Sequence, residues 1–319
     1  MKTEIFNLDQ IKEVLKDFDP IQSIEKGFIV YSQKKVVVPP VGELTFENPP
    51  GEMHIKYGYI IDDDYYVVKI ASGFYDNIKI GLPTFNGLML VFKQKTGELA
   101  SILLDEGYLT NLRTAAAGAV AAKYLAPKQV RSIGVFGAGA QGRFQVRYLK
   151  SITGCKDVYA WGISEEELES YQSDMESLGY TVHTTQDAGE IASNCNLIVM
   201  ATPSKSPLLQ AGQIRKGTHI TAMGSDTPEK NELDPLILEK ADIVAADSIS
   251  QCLGRGEIHQ AIKAGAIKED KIHELGTVIQ NAALQRISED QITVADLTGV
   301  AVQDIQISAA VYRALKSKQ

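Results

Sequence analysis

The sequence predicts an α/β protein in two parts: a doubly wound parallel sheet in the second half and a smaller α+β domain in the first. Three observations carry this. From about Val130, strand-like and helix-like runs alternate, the pattern of a parallel sheet with crossover helices. Before about residue 115, strand-like runs follow one another across short polar turns, the pattern of an antiparallel or mixed sheet. The length of 319 residues is about two domains of roughly 150 each.

In chain order, a helix is expected from Pro20 to about Gln33, with proline in its first turn. Strands follow at Val36–Val38, Met53–Ile61, Tyr65–Ile70, Leu88–Phe92 and Leu99–Leu104. A small-residue helix, Thr114-Ala115-Ala116-Ala117-Gly118-Ala119-Val120-Ala121-Ala122, closes before Pro127. The second half gives strands at Ser132–Phe136, Val158–Trp161, Thr181–Thr184, Leu197–Ala201, His219–Met223 and Ile243–Ala246. From Val300 to Lys316, apolar residues at 302, 305, 309 and 312 make an amphipathic helix, which should return to the first domain.

Composition excludes several classes. With 44% hydrophobic residues the chain can build cores, which rules out disorder as the main state. A net charge of −8 argues against a nucleic-acid partner. No apolar stretch approaches the ~18 residues of a membrane helix, and Met1–Asn7 lacks a signal-peptide block. Cys155, Cys195 and Cys252 suit buried free thiols in a reducing, cytoplasmic setting. The five histidines include no pair at ligand spacing on one helix face, so no metal is expected.

The clearest motif is Gly137-Ala138-Gly139-Ala140-Gln141-Gly142, placed between an apolar strand and a helix. That context makes it a Rossmann dinucleotide fingerprint. Gly137 allows the tight turn, Gly139 the close approach of a pyrophosphate, and Gly142 the packing of helix on strand. The next strand ends Trp161-Gly162-Ile163-Ser164-Glu165-Glu166-Glu167, where Ser164 and Glu167 form a capping box. Three carboxylates near the ribose favour NAD, with NADP as the alternative.

Charged residues in apolar surroundings mark a second site. Arg113, read as lying in the first turn of the alanine-rich helix, is misplaced for the helix dipole unless it shares a bound anion. Lys69 interrupts Tyr66-Val67-Val68-Lys69-Ile70. A two- or four-residue turn around Asp62-Asp63 would set Lys56 opposite Lys69 and make an anion pocket, whereas a three-residue turn would put them on opposite faces. Asp226 follows a strand, at an end where open α/β sheets bind ligands, and could move a proton or simply cap a helix.

These residues resemble the ornithine cyclodeaminase/mu-crystallin family. The likeness runs in order through Leu112-Arg113-Thr114-Ala115-Ala116-Ala117, the glycine motif, Gly224-Ser225-Asp226-Thr227-Pro228-Glu229-Lys230-Asn231-Glu232-Leu233 and Thr298-Gly299-Val300-Ala301-Val302-Gln303-Asp304. The resemblance implies a homodimer, with a substrate and dimerisation domain from both chain ends (1–116 and 301–319) around a Rossmann domain (117–300). It implies carboxylate binding by Lys69 and Arg113, and acid/base chemistry at Asp226 with Lys69. Thr84, Arg113, Gly137, Gly139, Ala140, Gln141, Gly142, Gly162, Ser164, Thr202, Pro203, Met223, Gly224, Ser225, Lys230 and Thr298 make up the candidate cofactor set. Lys35 stands where the family has another carboxylate-binding arginine. Lys56 stands in place of the usual Met-Pro-Ala stretch, which disfavours a cationic substrate.

The expected function is therefore an NAD(P)-dependent imino-acid reductase or amino-acid dehydrogenase, with a dicarboxylate such as iminosuccinate among the candidate substrates. A redox-neutral ornithine cyclodeaminase is the alternative enzyme. A non-catalytic, crystallin-like nicotinamide-binding protein is a third reading.

Overall fold

The computed structural model describes residues 3–16 and 18–318; Met1, Lys2, Asp17 and Gln319, and with them the start of the N-terminal segment, lie outside the described residues. The chain divides into two compact units, Met1–Arg113 with Val300–Gln319, and Thr114–Gly299.

In the first unit, β1 (Glu4–Phe6), α1 (Leu8–Leu15) and α2 (Pro20–Ser32) precede β2 (Val36–Val37), β3 (Gly42–Glu47), β4 (Pro50–Ile60), β5 (Tyr65–Gly73), β6 (Phe85–Lys93) and β7 (Leu99–Leu103). They form one mixed sheet in the order β1-β7-β6-β5-β4-β2, with β3 paired to β4. The elements β1, α1 and β3 escaped the sequence reading. α1 is short, though a full capping box at Asn7 and Gln10 starts it; β3 is largely exposed, so it lacks a buried stripe. The chain leaves this unit through α3 (Tyr108–Leu125) and re-enters it as α11 (Ala301–Ser317), after the second unit is complete.

α11 packs against α2 and against β4, β5 and β6, as its apolar stripe predicts. Val302, Ile305, Ala309 and Tyr312 are all buried. Full burial of an isoleucine or valine contributes about 1.5–3 kcal/mol, so this stripe is a main source of the unit's cohesion. The approach to α2 is close: a Cβ on Gly27 would lie 2.9 Å from Cγ of Gln306.

The second unit contains β8 (Ile133–Phe136), α4 (Ala140–Leu149), β9 (Asp157–Trp161), α5 (Glu165–Ser177), β10 (Thr181–Thr185), α6 (Ala188–Asn194), β11 (Leu197–Met200) and β12 (His219–Ala222). Then come α7 (Pro235–Lys240), β13 (Ile243–Ala246), α8 (Ile249–Cys252), α9 (Gly256–Lys263), β14 (Ile272–Glu274), α10 (Leu275–Gln280) and β15 (Thr293–Asp296). The sheet is parallel throughout, ordered β10-β9-β8-β11-β12-β15-β13-β14. Its first five strands follow the doubly wound order 3-2-1-4-5, with the switch point between β8 and β11. β14 and β15 were not foreseen. Both are short, and β15 inserts between β12 and β13 out of sequence order, which only long-range pairing decides.

α3 begins at Tyr108, capped by Asp105, whose Oδ2 accepts from the amide of Leu109 at 2.8 Å. Arg113 therefore lies in the second turn, not the first, and its charge is not answered by free helix amides. Its alanines at 115, 116, 117, 119, 121 and 122 are all buried. Cys195 and Cys252 are buried free thiols, while Cys155 is only partly covered, against expectation. Among the described residues, no helix is long and apolar enough to cross a membrane, and no group of three or more His, Cys, Asp or Glu could hold a metal ion.

Candidate active site

The β4–β5 hairpin has a four-residue connection, Ile61–Asp64, and its register pairs Lys56 with Lys69. Both side chains point to the face under α11 and are buried, at 5% and 3% exposure. Two like charges facing each other in a sheet need a counter-charge, and the structure supplies one the sequence reading missed. Asp304, in the first turn of α11, is 1% exposed. Its Oδ1 lies 3.0 Å from Nε of Arg113 and 3.5 Å from Nζ of Lys69. Nη1 of Arg113 donates to Oε1 of Gln303 at 2.9 Å.

Charge in this cluster is unevenly matched, because two buried cations converge on one carboxylate oxygen. Burial lowers the Lys69 pKa to about 7; Asp304 pulls it up, but the fields of Arg113 and Lys56 add to the depression. Burial would raise Asp304, yet Arg113, then Lys69 and Lys56, hold it below the usual carboxylate range. Asp105 is pushed up to about 6 by burial, and its carboxylate faces the amides that open α3. The sequence signal for Asp304 was present: a carboxylate beside the apolar stripe position 305, inside the helix that should dock on the lysine-bearing sheet.

Lys35 does not join this cluster. It is exposed, and its carbonyl accepts from the amide of Ile61, at the far end of β4. Lys56 lies five residues back along the strand, about 17 Å away at ~3.4 Å per residue. Thr84 is half-buried just before β6, its carbonyl accepting from Phe74 N–H at 2.8 Å. It stands apart from the lysine pair.

In the second unit, the candidate residues gather at the carboxyl ends of the strands. Gly137 has φ +104°, and a Cβ there would lie 2.6 Å from the carbonyl oxygen of Ala201. A Cβ on Gly142 would lie 2.1 Å from the carbonyl oxygen of Gly137, so α4 can seat on the turn only with glycine there. Gly139, by contrast, has nothing within 4 Å of its Cβ position. As N-cap of α4 it makes no side-chain cap bond, so open space meets the positive end of the helix. That cradle fits a pyrophosphate. Gln141 is drawn toward Met223 through Gln145, whose Nε2 lies 3.4 Å from Gln141 Oε1 and 2.8 Å from Met223 Sδ.

Past β9, Gly162 is buried and Ser164 caps α5 by accepting from the amide of Glu167 at 3.4 Å. The reciprocal half of the capping box is not formed. Glu165, Glu166 and Glu167 open α5. Arg143 also lies here, unforeseen: it bonds the carbonyl of Ala138, and its Nε pairs with Asp174 at 2.7 Å. This guanidinium is already neutralised.

Thr202 and Pro203 follow β11, Met223 through Asp226 follow β12, and Thr298 follows β15. Asp226 accepts from Nζ of Lys230 at 2.6 Å, and its carbonyl accepts from Arg255 at 3.2 Å. The Asp226 side chain is 35% exposed, so it is restrained yet reachable. Thr298 donates to Asp247 at 3.2 Å and accepts from Gln251 at 2.8 Å. Behind these loops lie buried carboxylates the sequence reading passed over, Glu232 and Glu257 among them.

The chain is similar over nearly its whole length to several known proteins. The chain is 38% identical over 300 residues to the uncharacterized cyclodeaminase y4tK of Sinorhizobium fredii, covering 93% of this chain and 91% of that one. It is 33% identical over 299 residues to the iminosuccinate reductase of Paracoccus denitrificans, covering 93% and 92%. Its fold superposes on an archaeal alanine dehydrogenase dimer with bound NAD at a TM-score of 0.90 and 32% identity, covering 100% and 97%. The family model for ornithine cyclodeaminase/mu-crystallin matches residues 1–319, and the chain belongs to that family.

Proposed function

We propose that the protein is an NAD(P)-dependent reductase of small α-imino acids, working in reverse as an amino-acid dehydrogenase, with NAD the preferred nucleotide. One observation carries the reading: Lys69 and Arg113, both buried, share a single carboxylate oxygen on Asp304. Such a site is electrostatically incomplete and gains by admitting an anion. The α-carboxylate of an amino or imino acid fits it, since the guanidinium can bind it through paired N–H groups.

Gly137, Gly139, Ala140, Gln141 and Gly142 would hold the dinucleotide's pyrophosphate on the start of α4, and the loops at Thr202, Gly224 and Thr298 its other half. When bound, NADH would supply the hydride for reduction of the substrate's α-carbon. Lys69 and Arg113 hold the carboxylate next to that carbon, which fixes its orientation. Asp226, steadied by Lys230, gives a proton to the substrate nitrogen in reduction and takes one in oxidation. Lys56 disfavours a cationic side chain and suits a polar or acidic one, which keeps iminosuccinate among the substrates to test. The iminosuccinate reductase and the NAD-bound dehydrogenase dimer support this reading. The cyclodeaminase relative favours a second one, in which a bound nucleotide oxidises a diamino acid and takes its hydride back.

A screen of 2-oxo acids with ammonia, and of preformed cyclic imines, against NADH and NADPH at 340 nm separates the two. We expect net NADH oxidation with at least one acid. Release of ammonia from ornithine or lysine without net absorbance change would instead establish the cyclodeaminase. With an active substrate, kcat/KM should fall as pH rises above about 7, because Lys69 loses the proton that binds the carboxylate. Lys69→Arg should remove that limb.

A homodimer is part of the proposal. The sheet face opposite α11 carries Ile55, Tyr57, Val68, Ile70, Leu88 and Leu90, none of them buried. Charged residues are absent from this set, as at the core of an interface rather than a solvated sheet face. Light scattering should give twice the chain mass of 34.8 kDa. Leu90→Asp should shift the protein toward monomer, and a monomeric wild type would contradict the proposal. Free thiols at all three cysteines suit a cytoplasmic location.

A further inference from the structure

Two enclosed carboxylates take no part in the proposed chemistry. Glu232 has no exposure and Glu257 only 1%. Oε1 of Glu232 accepts from both the amide and the hydroxyl of Thr202 at 2.7 Å, and Oε2 accepts from the amide of Gly224 at 3.0 Å. Thr202 lies just past β11 and Gly224 just past β12. In the doubly wound order these are strands 4 and 5, beyond the switch point, where the second half of a dinucleotide is received.

Glu232 is itself fixed from behind. Glu257, in the first turn of α9, accepts from the amides of Glu232 at 2.8 Å and Leu233 at 3.0 Å. It also accepts from the hydroxyl of Ser225. The fit is close, since a Cβ on Gly224 would lie 2.4 Å from Oε2 of Glu232 and 2.1 Å from the carbonyl oxygen of Thr202. Among the described residues, neither carboxylate has an ion-pair partner. Burying acids this way is costly, and a merely cohesive contact could be made with apolar side chains instead.

We infer that Glu232 is a positioning residue: it locks the loops at Thr202 and Gly224 into the arrangement that receives the nicotinamide half of the dinucleotide, while Glu257 holds Glu232 in place. The inference rests on the nicotinamide-enzyme reading above. Burial, then the charge of Glu257, raises Glu232 to about 8. The facing groups are Glu257 from α9 and the two loop backbones, with Asp296 of β15 behind Glu257. Raised in this way, the acid is shifted toward its uncharged form, which spares an anionic nucleotide a repulsive neighbour.

NADH fluorescence titration and steady-state kinetics on the full chain test this. Glu232→Ala should weaken NADH binding by at least about tenfold and lower kcat, with KM for the imino acid little changed. Glu232→Gln, with one acceptor oxygen in place of two, loses one of the two loop anchors; it should bind NADH more weakly than wild type at pH 7 but more tightly than Glu232→Ala, and hold that affinity at pH 9, where wild type weakens. A folded Glu232→Ala with wild-type NADH affinity would overturn the inference while leaving the functional reading intact. Should Glu232→Ala fail to fold, the Gln variant decides: NADH affinity equal to wild type at pH 7 would overturn it, because one of the two loop anchors is then gone without effect. A wild-type protein that binds neither NADH nor NADPH would overturn the functional reading and this inference together.

Discussion

Arg113→Met lowers kcat/KM for the imino acid by about 10³, or roughly 4 kcal/mol, if its guanidinium holds the substrate carboxylate. The loss should fall mainly in KM if the carboxylate is gripped equally in ground and transition states, and in kcat if the grip orients the α-carbon. Methionine keeps most of the side-chain volume and leaves Asp304 paired with Lys69, so the fold should survive. A folded variant that melts below wild type, because Asp304 and Gln303 lose a partner, and that has lost activity is the expected signature. Near-wild-type kcat/KM would remove Arg113 from the site.

Asp304→Ala is the second large effect, and it is one of stability. Removing this carboxylate leaves Lys69 and Arg113 buried without their shared partner, a loss of about 3–5 kcal/mol. The loss should depend on pH. In the unfolded chain Lys69 keeps its proton to about 10.5, whereas in the folded one it keeps it only to about 7. The charged form therefore costs stability below pH 7, and that cost is relieved as pH rises from 7 toward 10.5. Asp304 offsets it only while Lys69 is charged. The gap between wild type and Asp304→Ala should be widest near pH 6 and narrower near pH 9, as read by urea denaturation at each pH. A gap independent of pH would mean Asp304 acts on Arg113 alone.

The doubly wound sheet was legible because its signals are local: apolar runs, helix periods and a glycine turn each occupy a few adjacent residues. The lysine pair was legible because hairpin register is simple arithmetic once the turn length is known, and Ile61–Asp64 supplies the four-residue case. Asp304 was hidden because its partners lie about 190 and 235 residues away in sequence, joined only by the return of α11. Arg113 was misjudged by where α3 begins; Asp105 caps the helix from a position that reads as the end of a strand. Lys35 was assigned by likeness of sequence, and its place at the far end of β4 follows from strand pairing. Glu232 carried no local signal, since a glutamate in a polar stretch reads as solvated until the fold closes over it.

The central claim is that buried cations recognise an organic acid by its carboxylate. It is tested most directly by comparing the imino acid found in the screen with its carboxamide, under NADH at pH 6.5, in one 340 nm assay. The account predicts that the amide loses at least about 10³ in kcat/KM, because it brings no charge to Lys69 and Arg113. Equal turnover of acid and amide would contradict it.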